Sequence, residues 1–260
     1  MTETKQPPLG APSGNSPKIV WEGGSAPAPE IWIDISPKII FQGMMLAIAS
    51  LIFASAIGQL SYAQWPGLPG LGLVARLSDI DAERSFPTAY SALMLLVCAV
   101  LQGVIAHQPR LSLGSQTRRW RTLAWIFLFL SLDELLSFHE LAIDPVREQF
   151  GLSGAFYFAW VIPAMALVGL FGLSFFQFWL RLPPHPRLLF ALAATLYVGG
   201  ALGVEMVNGA YLAEAGETWI YLALQHFEEL MEMVGIAIFI HALLSYARIK
   251  LNGLRLVVRL

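Results

Sequence analysis

Residues 122–141 read TLAWIFLFLSLDELLSFHEL. A bilayer core about 30 Å thick is crossed by about 20 mostly apolar helical residues, so this stretch has the length of a span. It keeps Asp133, Glu134 and Glu140 among its leucines and phenylalanines. Residues 219–246, WIYLALQHFEELMEMVGIAIFIHALLSY, repeat the pattern with Glu228, Glu229 and Glu232. If both stretches cross the membrane, the chain is a polytopic bundle that tolerates acids inside it.

The rest of the sequence supports that reading. Of 260 residues, 56% are hydrophobic and 13% charged, with a mean hydropathy of +0.61, against about 25% charged in a soluble domain. Four more segments have spanning length: Ile39–Leu60, Pro87–His107, Phe156–Leu180 and Leu188–Met206, the last clean until Glu205. The expected fold is all-α, a six-transmembrane-helix bundle over residues 38–248.

Residues 1–37 hold Pro7, Pro8, Pro12, Pro17, Pro27, Pro29 and Pro37 among Gly and Ser. That composition predicts a disordered cytoplasmic tail, and no apolar core near the start suggests a cleaved leader. Ile31–Ile35 is expected on the membrane surface, and residues 249–260 form a basic cytoplasmic tail. With both termini inside, thirteen of the sixteen Lys and Arg residues fall on the cytoplasmic side, leaving only Arg76, Arg84 and Arg147 outside. Cytoplasmic loops carry the basic excess, so an N-in, C-in topology in the cytoplasmic (inner) membrane of a bacterium is expected.

The formal charge of −2 excludes the basic face that nucleic-acid binding requires. One cysteine, Cys98, excludes an intrachain disulfide and a cysteine-based metal knuckle.

In this topology the acids of three helices lie at similar depth in the outward half: Asp133, Glu134 and Glu140 on the third, Glu205 on the fifth, Glu228, Glu229 and Glu232 on the sixth. At 100° per residue, Asp133, Ser137 and Glu140 share one face and His139 points the opposite way. His226 and Glu229 are i, i+3 neighbours, as are Glu205 and Asn208, and Gly199, Gly200 and Gly203 permit close helix approach. An ionised acid at mid-membrane costs about 2.5 to 3.5 kcal/mol. The spans contain no Lys or Arg to offset it, so protons, histidine or a bound cation must.

Carboxylate and imidazole in a helical bundle suit one or two divalent metals, iron, manganese or zinc. The candidate ligands are Glu134, Glu140, Glu205, His226, Glu229 and Glu232, with Asp133 to orient a ligand or act as general base. A centre of that kind implies a metal-dependent hydrolase or oxidoreductase acting on a lipid or other apolar molecule that enters sideways. The alternatives are a proton- or cation-coupled transporter using the same acids, and a non-catalytic or haem-binding subunit with His139 paired to His226 and His107 to His241.

Overall fold

The computed structural model describes residues 30–34, 36–108, 115–251 and 255–259. The earlier part of the predicted N-terminal tail therefore lies outside the described residues, as do residues 252–254 and 260 of the C-terminal one. Helix α1 (Pro37–Gln64) opens with proline at its first turn, where a missing N–H costs nothing. Gly70, at φ +82°, then starts the short helix α2 (Leu71–Ser78), which folds back on α1. The return is tight at Gly58, where a Cβ would lie 2.5 Å from the Ser78 Oγ. The Ile80 N–H donates to the Ser55 Oγ at 3.0 Å, which fixes the loop that follows.

Helix α3 (Phe86–Ala106) is capped by Ser85, whose Oγ accepts from the Thr88 N–H at 3.2 Å. Helix α4 (Ser115–Leu136) runs antiparallel beside it. The buried Ser131 hydroxyl donates to the Ala92 carbonyl at 2.7 Å and pins the two helices together. Helix α5 (Ile143–Phe150) and a 3-10 turn at Gly154–Phe156 lead into α6 (Val161–Leu180). Helix α7 (Pro184–Val198) passes through a π-helical segment, Gly199–Val204, into α8 (Glu205–Ala215). Helix α9 (Trp219–Leu251) closes the bundle. Strands β1 (Glu30–Asp34) and β2 (Arg255–Arg259) pair antiparallel with Glu30 opposite Arg259, so these parts of the two predicted tails are paired backbone.

Helix α9 is the hub, packing on α1, α3, α7 and α8. Small residues make that possible. At Gly235 a Cβ would stand 2.8 Å from the Tyr197 backbone nitrogen. Towards the C-terminal end of α9 the core is aromatic, with Trp120 fully buried and set against Phe178 and Tyr246 at centroid distances of 5.0 and 4.9 Å.

Five helices are long and apolar enough to cross a membrane: α1, α3, α6, the α7–α8 unit from Pro184 to Ala215, and α9. This is a multi-pass helical membrane protein. The sixth expected span, α4, is more polar than the others because Arg118, Arg119 and Arg121 share it with Asp133 and Glu134. Its end also differs from expectation. The helix stops at Leu136, not Leu141, because Ser137 takes φ +50°. The α7–α8 span runs on past Met206 to Ala215, since its π segment continues the helix instead of breaking it.

Candidate functional site

Four elements bring the acids together: the end of α4, the π segment leading into α8, the first half of α9 and the loop before α3. A π segment inserts extra backbone into the helix, and here it ends at Glu205. Gly200 within it packs directly on α9. A Cβ there would lie 3.0 Å from both the Glu228 carbonyl oxygen and the Glu232 Cγ. That proximity places the Glu205 and Glu228 carboxyls in hydrogen-bonding contact. Glu228 is 9% exposed.

The other acids surround this pair. Glu229 interacts with Glu232, Glu134, Asp81 and Glu205, and Glu232 with Glu134, Glu205 and Asp81. The Tyr197 phenol lies in the field of Glu232, Glu134 and Glu229. Two neutral donors reach the rim. The Trp160 indole N–H donates to the Glu205 Oε1 at 3.0 Å, and the Gln225 amide donates to Asp81 while also meeting the Tyr221 hydroxyl at 3.1 Å. The principal charged neighbours of Glu205, Glu228, Glu229 and Glu232 are other carboxyls and, for Glu205, His139; no lysine or arginine stands among them. Glu134, Glu205, Glu229 and Glu232 thus act on one another electrostatically, with Glu228 beside them.

Three expected members stand elsewhere. His226 turns its Nδ1 back to the Leu222 carbonyl at 2.8 Å, and its buried Nε2 has no partner among the described residues. It does not join the carboxyls. Glu140 follows the helix break and meets Glu83 at the surface. Asp133 also serves a different group. The left-handed Ser137 swings the chain so that His139 folds back, its Nδ1 2.9 Å from the Asp133 Oδ2 and its backbone N–H 3.1 Å from Oδ1. A continuous helix would hold the two apart, and the break explains the difference.

The loop before α3 supplies what the sequence reading missed. Asp81 joins the rim of the chamber, and Glu83 contacts both Glu140 and the Ser137 hydroxyl. The signal was their place in a run of loop acids, Asp79, Asp81 and Glu83. Burial of the Asp81 carboxyl, with Glu205 and Asp79 nearby, pushes its pKa up to about 7, although the residue as a whole is exposed. Enclosure of the Glu140 carboxyl and the contact with Glu83 push it up to about 7 as well. Glu83, as the accepting partner of Glu140, is held below the usual carboxylate range.

Residues 44–247 match a protein family described as a domain of unknown function, DUF8692. The chain belongs to that family. The DUF8692 region runs from α1 to α9 and takes in every residue of the chamber and of the Glu83–Glu140 pair. No curated protein and no solved structure matches the chain.

Carboxyl oxygens are the ligands that hard cations take. Among the described residues no three His, Cys, Asp or Glu side chains stand in a ready metal-binding arrangement, so a bound ion would require the carboxyls to turn towards it. The histidines proposed for haem have other partners: His139 has Asp133, His107 the Gly103 carbonyl at 2.8 Å, and His241 the Pro37 carbonyl at 3.1 Å.

Proposed function

We propose that the chain is a six-span membrane protein with both ends on the cytoplasmic side, whose outward carboxyl chamber binds a cation. The observation that carries this reading is the mutual electrostatic contact of Glu134, Glu205, Glu228, Glu229 and Glu232 with no lysine or arginine among their principal neighbours, only His139 beside Glu134 and Glu205. Charges of one sign in a low-dielectric site repel strongly, and either protons or a metal ion relieve the repulsion. The ligand set is all oxygen once His226 is set aside. That favours a hard divalent ion, manganese rather than zinc.

The six-span topology rests on α4. Its 22 residues extend about 33 Å at 1.5 Å per residue, and it lies antiparallel to α3 along a span. The contact of His241 with Pro37 brings the start of α1 to the inner half of α9, as an even number of crossings requires.

A metal in this chamber would polarise a bound oxygen or activate water. The chain's own contribution would be to hold it: Glu205 and Glu228 as the fixed pair, Glu229, Glu232 and Glu134 as the carboxyls that turn in. An apolar groove of about 580 Å³, between Met165 and Val168 on α6 and Gly199, Leu202 and Gly203 on the π segment, supports sideways approach of an apolar molecule.

Metal analysis of the purified protein after incubation with manganese tests the proposal, with Glu205→Gln and Glu228→Gln as controls. Near-stoichiometric metal in the wild type and little in either variant is expected. A folded wild type that takes up no metal and gains no thermal stability from it would refute the metal reading.

A further inference from the structure

Helix α6 touches the bundle at its two ends and stands clear between them. Val161 is fully buried at one end, and Phe175 and Phe178 are buried at the other. From Ile162 to Ser174 every residue but Ala164 is exposed. The gap left beside α7 and the π segment is the apolar groove of about 580 Å³, within the range of about 300 to 1,000 Å³ typical of ligand sites. Its floor is low at Gly203, where a Cβ would meet nothing within 4 Å.

Two arginines from neighbouring helices stand at the C-terminal end of α6. Arg119 of α4 donates to the Ser174 carbonyl at 2.6 Å and lies over the Phe175 ring, 5.0 Å from its centroid. Arg187 of α7 donates to the Leu180 carbonyl at 3.3 Å and lies over the Trp179 ring at 5.9 Å. The Trp179 indole donates in return to the Arg187 carbonyl at 2.9 Å. Phe175 and Trp179 are i, i+4 neighbours, so the two guanidiniums sit on successive turns of one helix face. Each has five N–H groups in a fork, and most are left for another acceptor. Neither has a carboxylate partner among the described residues. The sequence holds no acid between Glu83 and Asp133, between Glu148 and Glu205, or after Glu232.

The arginines and the groove lie along one strip. At 100° per residue, Met165 and Val168 in the groove share a face of α6 with Phe171, Phe175 and Trp179, and Phe171 stacks on Phe175 at 4.6 Å. On α7 the same arithmetic puts Arg187 in line with Ala194 and Val198, which also line the groove. Val198 is eleven residues from Arg187, or about 16 Å at 1.5 Å per residue. That is close to half of a hydrocarbon core about 30 Å thick, the depth of one leaflet.

We propose that α6, α7 and the π segment bind an anionic phospholipid, its phosphate held by Arg119 and Arg187 and one acyl chain laid in the groove over Gly203. The inference rests on the reading of the groove as open to apolar molecules and names the molecule that occupies it. The six-span topology assigns that lipid to the cytoplasmic leaflet. Guanidinium forks match phosphate oxygens two at a time. An anionic headgroup is favoured over a zwitterionic one because these segments offer no carboxylate to receive an ammonium group. A transmembrane helix in the same groove would bring apolar surface past the two guanidiniums and leave both charges without an anion.

Native mass spectrometry of the full chain tests this, with titration by phosphatidylglycerol or by phosphatidylcholine of the same chain length. An arginine near an anionic headgroup contributes about fivefold in affinity, so the wild type should hold one phosphatidylglycerol about 25-fold more tightly than phosphatidylcholine. The double variant Arg119→Gln, Arg187→Gln should bring that ratio near one. Gly203→Leu fills the groove and leaves both arginines in place, so it should weaken both lipids and keep their ratio. Inorganic phosphate should not displace the bound lipid. A wild type that does not discriminate between the lipids, or a folded double variant with the wild-type ratio, overturns the proposal. So does full affinity for both lipids in G203L, which keeps the test open if the double variant fails to fold. Displacement by inorganic phosphate would reduce the site to an anion site and overturn the lipid. Manganese uptake by the double variant should equal that of the wild type, so failure of the lipid site and failure of the metal chamber are read separately.

Discussion

Gly200 touches Glu232: a Cβ on the glycine would sit 3.0 Å from the Glu232 Cγ, and equally close to the Glu228 carbonyl oxygen. The π segment can lie this close to α9 only because the position has no side chain. Gly200→Ala must push the segment away by a few tenths of an ångström and with it Glu205 from Glu228. Overpacking of this kind costs about 1 to 3 kcal/mol. Gly203 supplies the control, since a Cβ there meets nothing within 4 Å, and Ala is the better helix former. Thermal unfolding in detergent and manganese uptake should both fall in G200A and stay level in G203A.

Asp81 gives the chamber rim a pH dependence whose sign can be worked out. Its pKa rises from 3.8 to about 7, so the folded chain keeps a proton that the unfolded chain has lost. Stability from this group is full below pH 3.8, declines as pH rises and is gone above about 7. Glu140 adds to the same slope, with its own rise from 4.5 to about 7. The melting temperature should drop between about pH 4 and about pH 7, and Asp81→Asn should flatten part of that drop. A slope unchanged in D81N would show that the carboxyl is not held in its protonated form.

Much of this architecture is legible in the chain itself. Five of the spans follow from length and hydropathy, and the electrostatic contact among Glu134, Glu205, Glu229 and Glu232 follows the grouping of acids on three helices. What escapes is set by backbone detail with no periodic signal. A serine at φ +50° reverses the relation of His139 to Asp133 and sends Glu140 to Glu83. An arithmetic of 100° per residue assumes a helix that does not end. His226 shows a different limit, because spacing brings it beside Glu229 but its Nδ1 is satisfied one turn back, at Leu222. Asp81 was hidden because loop residues carry no face.

Trp160 links the two halves of the site, and its N–H can be removed without removing its bulk. Trp160→Phe keeps an aromatic ring near His139 but leaves the Glu205 Oε1 without the 3.0 Å indole bond. Losing a partner to a half-buried acid costs about 1 to 3 kcal/mol. The Glu205–Glu228 contact does not involve the indole, so manganese uptake should persist in W160F while thermal stability drops. Loss of both would mean that the indole orients Glu205 for the cation.

Ser137 carries two opposed effects that a pair of substitutions can separate. A left-handed backbone costs an L-residue about 1 to 2 kcal/mol and costs glycine almost nothing, while the serine hydroxyl is in contact with Glu83. Ser137→Ala removes the hydroxyl and keeps the strain. Ser137→Gly removes both, though glycine also loosens the unfolded chain by up to about 1 kcal/mol. S137G should therefore be at least as stable as S137A, and more stable by up to about 1 kcal/mol, in a side-by-side thermal scan. If S137G is instead clearly the less stable, the left-handed turn is not the conformation that brings His139 back to Asp133.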